Sequence, residues 1–363
     1  MSGSRIRSLR SGIMAGFWPS WYASSTPPSS IPKSYYTHVF YAFVNPDPGA
    51  NFTLKITPTD KRLMPRFTGH LHSNNHYVKA FLSIGGANEE AKEAWSAMAC
   101  SQTNRGHFIR SAIEVARQYG FDGVDLNWEF PSEEIGMEHL ASLLTELRLA
   151  VDQEAHQTRL GISATVYFAP YLDIMTSTGG QYPAAAIANY VDFINLMSYN
   201  YSGSWDTSRT GSLAALYNNG GVYCTHYGIE EWIEIGVPPE KLVMGLPLYG
   251  QSWKLRDPNN NGIGAPAVGT GPEDSQYEKG SMVYRNVVKF IADRRANEVY
   301  DPSTVSCYCH AGTDWISYDG VQSIEAKVKY AKDHHLGGYY FWAIGQDYQD
   351  RLSTAASMAW RGF

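Results

Sequence analysis

Asp125, Asn127 and Glu129, each two residues from the next, form the densest polar pattern inside an otherwise apolar stretch. They belong to Asp122-Gly-Val-Asp-Leu-Asn-Trp-Glu-Phe-Pro131, whose β-prone run Gly123–Trp128 reads as a buried strand ended by Pro131. Side chains alternate along a strand, so the three project from one face and step toward its carboxyl end. Two carboxylates and an amide facing inward cost free energy unless they are satisfied or used, and acid–base chemistry is the use such groups serve. The alternative is a polar strand end satisfied by backbone and water. Trp128, Phe130 and Pro131 frame Glu129 and argue against it.

Elements able to hold such a strand recur along the chain. Short apolar strands are predicted at Ile13–Trp18, His38–Phe43, Val78–Ile84, Gly123–Trp128, Gly161–Val166, Phe193–Tyr199, Leu242–Leu246 and Gly338–Trp342. Helical stripes lie between them. Phe108, Ile109, Ala112, Ile113 and Ala116 form one, and Leu140, Leu143, Leu144, Leu147 and Val151 another. Further helices are marked by Ile229, Trp232 and Ile233, and by Val321, Ile324 and Val328. Eight strand–helix units predict an α/β fold of the (β/α)8 barrel type, with its site at the carboxyl ends of the strands. The last two strands are too far apart for one helix. Turn-rich sequence (Asp257-Pro-Asn-Asn-Asn-Gly262) and a helix near Met282–Asp293 predict a small α+β insertion over 251–318, with the barrel formed by 12–250 and 319–363.

Composition narrows the function. A net charge of −6 argues against a polyanion-binding protein, and no apolar run approaches membrane-spanning length. The stretch Met1–Gly12 is polar and basic with no apolar core, so no signal peptide is expected there. Cys100, Cys224, Cys307 and Cys309 are too few for a disulfide-built fold, and no second pair completes a zinc site with Cys307 and Cys309. His70, His72 and His76 read as a solvated surface, and His334-His335 as ordinary cations at a helix end. Two sequons, Asn51-Phe-Thr and Asn200-Tyr-Ser, fit a secreted protein but arise often by chance. The 25 Tyr, 14 Phe and 10 Trp suit stacking on sugar rings as well as they suit a core.

The central decapeptide resembles the Asp-x-x-Asp-x-Asp-x-Glu signature of glycoside hydrolase family 18, the chitinases and their relatives, with Asn127 in the third Asp position. Ser83-Ile-Gly-Gly86 resembles the family's Ser-x-Gly-Gly, Met197-Ser-Tyr-Asn200 its Met-x-Tyr-Asp, and Gly245-Leu-Pro-Leu-Tyr-Gly250 its Gly-Ile-Pro-Phe-Tyr-Gly. Tyr339-Tyr-Phe-Trp342 resembles the strand carrying the family's sugar-platform tryptophan. The likeness runs from Gly16 to Trp360 and is strongest toward plant class V chitinases, whose Trp-Ile-Ser-Tyr-Asp appears as Trp315–Asp319.

The resemblance implies hydrolysis of β-1,4-linked N-acetylglucosamine polymers by substrate-assisted retention, outside the usual two-carboxylate scheme. Glu129 would protonate the glycosidic oxygen while the substrate's own N-acetyl oxygen attacks the anomeric carbon, and Glu129 would then activate water. Asp125, Asn127 and Tyr199 complete the implied catalytic group. Phe17, Met197, Asn200, Tyr249, Trp253 and Trp342 are the implied sugar contacts, supported by Ser83, Gly85 and Gly86. No cofactor and no metal are implied. The expected partner is chitin or an N-acetylglucosamine oligosaccharide, with no nucleic acid or membrane, for a monomer that is secreted or vacuolar. Three departures stand at this site: Asn127 and Asn200 replace carboxylates, and Phe17 replaces a tyrosine. Three outcomes stay open: a slowed hydrolase, a chitin-binding lectin, or a barrel turned to another acid–base reaction with Glu129 as proton donor.

Overall fold

The structure, a computed structural model, describes residues 12–73, 77–131, 133–173, 178–218 and 221–362. Eight parallel strands form the barrel: β1 (Ile13–Pro19), β2 (His38–Asp47), β3 (Lys79–Gly85), β4 (Gly123–Asn127), β5 (Gly161–Tyr167), β6 (Phe193–Met197), β7 (Leu242–Pro247) and β8 (Gly338–Trp342). Each pairs with its successor, and β8 closes on β1 with Ile13 opposite Gly338. All eight predicted strands are present. Strand β2 runs beyond its predicted end at Phe43, because Asn45–Asp47 find partners in an antiparallel strand, Thr53–Lys55.

Strand alternation sorts the side chains into two cores. Val39 and Tyr41 of β2, Leu82 and Ile84 of β3, Val124 and Leu126 of β4, and Tyr339 and Phe341 of β8 face outward into the core shared with the helices. The predicted helix stripes lie there too, on the helices Gln102–Tyr119 and Glu133–Gln153. The intervening residues Phe40, Phe81, Phe193 and Tyr340 fill the barrel's interior.

That interior is layered. Phe40, Phe81 and Phe193 form the floor, with ring centroids 5.5 Å (Phe40–Phe81), 5.7 Å (Phe81–Phe193) and 6.3 Å (Phe40–Phe193) apart. His38 abuts Phe81 and Phe193, and burial drives its imidazole down to about 3, so it is neutral at ordinary pH. Gly123 and Gly161 leave the Phe81 ring its space, since a Cβ at either would come within 2.5 or 2.6 Å of it. Two residues farther along β3, β4, β5 and β6 the lining turns polar: Ser83, Asp125, Ser163 and Asn195 are all fully buried. The mouth lies above them.

A second, six-stranded antiparallel sheet begins at Tyr249, two residues after β7, and includes Tyr249–Leu255 and Asp314–Tyr318 with the helix Tyr284–Arg294 beside it. Trp253, expected among the sugar contacts, is instead fully buried in this unit, its ring 5.5 Å from that of Trp315 and its indole N–H donating to the Asp206 carbonyl at 2.9 Å. Four residues of extended chain carry it roughly 13 Å beyond Tyr249, away from the mouth. Asp319, the last residue of Trp315–Asp319, accepts the Lys327 ammonium at 2.7 and 2.6 Å, fastening the insertion to the helix Val321–Asp333.

The four cysteines are free thiols. His70 contacts the Ile31 carbonyl and His72 pairs with Asp122, while His76 and the stretch 1–11 fall outside the described residues. No helix among the described residues is long and apolar enough to cross a membrane.

Phe81→Ala should empty the centre of the floor and destabilise the fold by about 3–5 kcal/mol. Denaturant unfolding of the variant beside the parent measures this. A loss below about 1 kcal/mol would mean that the floor collapses around the gap.

Candidate active site

The site rests on the polar layer. Asp125 is fully buried with no cation beside it among the described residues, and four neutral side chains hold its carboxylate. Ser83 Oγ donates to it at 2.6 Å, Ser163 Oγ at 2.8 Å, Thr165 Oγ1 at 3.0 Å and Asn195 Nδ2 at 3.5 Å. Burial pushes the carboxyl up to about 6 and the donated hydrogen bonds oppose it. The predicted support from Ser83 is therefore a direct hydrogen bond.

Asn127 ends β4 one step higher. The turn Gly85-Gly86 clasps its backbone, with the Gly86 N–H donating to the Asn127 carbonyl at 2.8 Å. Gly85 has φ +122°, and a Cβ there would stand 1.9 Å from that carbonyl oxygen, so only glycine fits. The Asn127 side chain gives its N–H to Glu129, whereas its Oδ1 is buried with no hydrogen-bond partner among the described residues. An unsatisfied buried acceptor costs about 1–3 kcal/mol, so it is primed for a donor brought by a ligand.

Glu129 follows at the mouth. Burial chiefly, then the negative charge of Glu278, pushes its carboxyl up to about 7, against the Asn127 hydrogen bond that lowers it. It is thus a half-protonated acid at neutral pH. Trp128 points the other way and stacks on Trp95, which fixes the side from which Glu129 emerges.

Glu129 and Asn127 share a cavity of about 470 Å³ with Phe17, Gly85, Gly86, Met197, Tyr199, Asn200, Tyr249 and Trp342. Asp125 and Ser83 lie beneath it, and Trp253 is outside it. The Tyr199 hydroxyl lies 3.0 Å from that of Tyr340 and is held well above its ordinary pKa, chiefly by burial, so it remains a neutral donor. Gly245 makes room for this pair, since a Cβ there would meet the Tyr199 ring at 2.8 Å and the Tyr340 hydroxyl at 2.9 Å. Trp342 stacks on Phe43 with centroids 5.7 Å apart and planes 14° apart.

Two of the departures acquire a physical reading. Asn200 adopts a left-handed backbone (φ 60°), which Asn tolerates well, and its Oδ1 accepts the Tyr249 hydroxyl at 2.7 Å, a task that needs an acceptor but no charge. Phe17 lies flat on Phe40, centroids 4.4 Å apart, with the rings of Phe43, Tyr340 and Trp342 also near it.

Sequence reasoning missed Trp21, Phe43, Asn45, Asn88 and Glu278 on the cavity wall. Trp21 follows the carboxyl end of β1, a position that could have marked it. Glu278 comes from the insertion, some 150 residues past Glu129, and no local signal announces it. Among the described residues, no Lys or Arg lines the cavity. A second cavity of about 260 Å³ extends it past Trp21, Tyr249, Glu278 and Trp342 toward Tyr22 and Tyr277. The arrangement offers a proton donor, an empty hydrogen-bond acceptor and aromatic faces along one elongated cleft.

The sequence model of glycosyl hydrolases family 18 matches residues 13–347. A class V chitinase of Lotus japonicus is 44% identical over 354 residues, covering 97% of this chain and 87% of that protein. Among solved structures, a class V chitinase mutant from Nicotiana tobaccum in complex with NAG4 superposes with a TM-score of 0.90 at 36% identity, covering 96% of this chain and 99% of that one. A chitinase-like agglutinin from Robinia pseudoacacia superposes with a TM-score of 0.87 at 37% identity over the same shares.

The raised Glu129 carboxyl carries a sign that stability can read. Folding increases its proton affinity, so its contribution is complete below the ordinary value of 4.5 and is lost as pH rises through about 7. Glu129→Gln does not titrate. The melting temperature of Glu129→Gln should therefore gain on that of the parent as pH rises from about 5 to 8. A difference that stays flat across this range would mean Glu129 is well solvated.

Proposed function

The chain belongs to glycosyl hydrolases family 18, and on that premise we propose that it cleaves β-1,4-linked N-acetylglucosamine oligomers with its own Glu129 as acid and then base. One observation carries the proposal: a carboxyl pushed up to about 7 stands beside the empty Asn127 acceptor in an aromatic cleft of sugar size. In the first step the Glu129 proton passes to the glycosidic oxygen as that bond breaks. The substrate's acetamido oxygen closes on the anomeric carbon from the opposite face and forms a cyclic oxazolinium ion. In the second, the Glu129 carboxylate takes a proton from water, whose oxygen opens that ring and restores the acid.

The neighbours have matching tasks. Asn127 Oδ1 is free to accept the acetamido N–H, which orients the nucleophilic carbonyl. It supplies no negative charge for the oxazolinium, and losing one electrostatic stabiliser of this kind costs about 10²–10³ in rate. The Tyr199 hydroxyl reaches the same group, and Trp342 provides the face under the reacting ring. Asp125 keeps its hydroxyl partners and acts through the position of β4. Slow hydrolysis is the expected outcome.

A second reading, a sugar-binding lectin, draws on Asn127, Asn200 and Phe17 and on the likeness to the agglutinin. Products of an N-acetylglucosamine hexamer, followed over hours, separate the two. Hydrolysis that Glu129→Gln abolishes supports the enzyme. Binding without products, in parent and variant alike, supports the lectin.

Asn127→Asp should raise the hydrolysis rate, and it should also move the alkaline limb of kcat/KM upward, because a carboxylate in place of an amide donor holds the Glu129 proton more tightly. A limb that stays in place would detach Asn127 from Glu129. Trp342→Ala should weaken calorimetric binding of a chitin trimer by about 1–2 kcal/mol or more, whichever reading holds. Unchanged affinity would move the sugar elsewhere.

A further inference from the structure

The helix Thr225–Glu234 leads into β7 and the helix Val321–Asp333 into β8, and these strands pair with Val243 opposite Gly338. The two helices therefore neighbour each other outside the barrel. His226 and Glu230, one helical turn apart, share one face of the first. His334 caps the carboxyl end of the second. One ligating atom from each of the three lies within 4.8 Å of the others. We infer that His226, Glu230 and His334 bind a divalent transition-metal cation, zinc foremost, at a site separate from the sugar cleft.

The two imidazoles are oriented as ligands need to be. His334 Nδ1 lies 2.9 Å from the Tyr330 carbonyl oxygen. That oxygen only accepts, so Nδ1 carries the hydrogen and the neutral ring keeps its lone pair on Nε2. His226 Nδ1 lies 2.8 Å from the Tyr330 hydroxyl, which can accept an N–H from it and so leave the opposite nitrogen for a metal. Ligand histidines are commonly fixed this way, by a hydrogen bond from the nitrogen that does not bind metal. Tyr330 serves both rings, and its own ring stacks on His334 with centroids 3.8 Å apart.

The donor set fits the ion. Two imidazoles and one carboxylate with an open fourth position suit Zn²⁺, whereas Mg²⁺ and Ca²⁺ prefer all-oxygen shells. Glu230 makes no ion pair with Lys or Arg among the described residues, and it is exposed. Donors around tetrahedral zinc stand about 3.3 Å apart, so the cluster must tighten on binding, and the exposed Glu230 side chain has room to move. A shallow cavity lined in part by Tyr217, Cys224, His226 and Glu230 gives the ion a path from solvent. Read from sequence, His334 was an ordinary helix-end cation. Its partners lie over 100 residues away, which hid the cluster.

The test is calorimetric titration of the chelator-treated protein with Zn²⁺. The parent should bind one ion per chain. His226→Gln and His334→Gln should each weaken that binding by more than the about 10–100-fold expected for Tyr330→Phe, which removes only an orienting hydroxyl. Circular dichroism checks that each variant is folded, and zinc should raise the melting temperature of the parent but not of the double His variant. Mg²⁺ should give no heat. Zinc binding that survives both His substitutions, or a parent that takes up no stoichiometric ion, overturns the assignment. Neither outcome bears on the sugar cleft, with which these residues share nothing.

Discussion

A carboxylate buried at the centre of the barrel, held by hydroxyls and an amide, is the constraint that orders this molecule. Asp125 draws its hydrogen bonds from β3, β5 and β6, so one side chain on β4 fixes the height of three other strands around the ring. A one-residue slip in any of them would turn its polar side chain outward and leave a buried charge short of donors. Register, and with it the placement of Asn127 and Glu129 above, follows from satisfying that one group.

Two acids four residues apart, Asp125 on β4 and Glu129 just past its end, thus meet different surroundings. Asp125 is wholly enclosed yet rich in donors, which limits its rise to about 6. Glu129 has fewer donors and a like charge nearby in Glu278, and it rises to about 7. Environment separates their roles although residue type does not. Asn127 stands between them as a neutral spacer, donating to one side and leaving an acceptor open on the other.

Much of this was legible from the chain. Strands buried on both faces are dense in apolar and aromatic residues, so their order and their carboxyl ends were readable, and the residues at those ends gather in one cavity. Asn127 and Glu129 were marked by alternation along one strand, Tyr199 and Trp342 by the family resemblance, and all four line that cavity. Trp253 was misplaced because the strand carrying it continues well past the mouth into a second core. Glu278 was invisible because its approach to Glu129 exists only once the insertion packs beside the barrel. Asn200 and Phe17 looked like simple losses in sequence. In three dimensions the first keeps a hydrogen bond and the second completes an aromatic stack.

The aromatic floor has a consequence for traffic. Phe40, Phe81 and Phe193, with a neutral His38 against them, set an apolar floor between the amino-terminal end of the barrel and Asp125 among the described residues. The polar layer is a cul-de-sac. Protons and water exchanged at Glu129 must use the same doorway as the ligand, so an occupied cleft isolates its own acid from bulk solvent until something leaves.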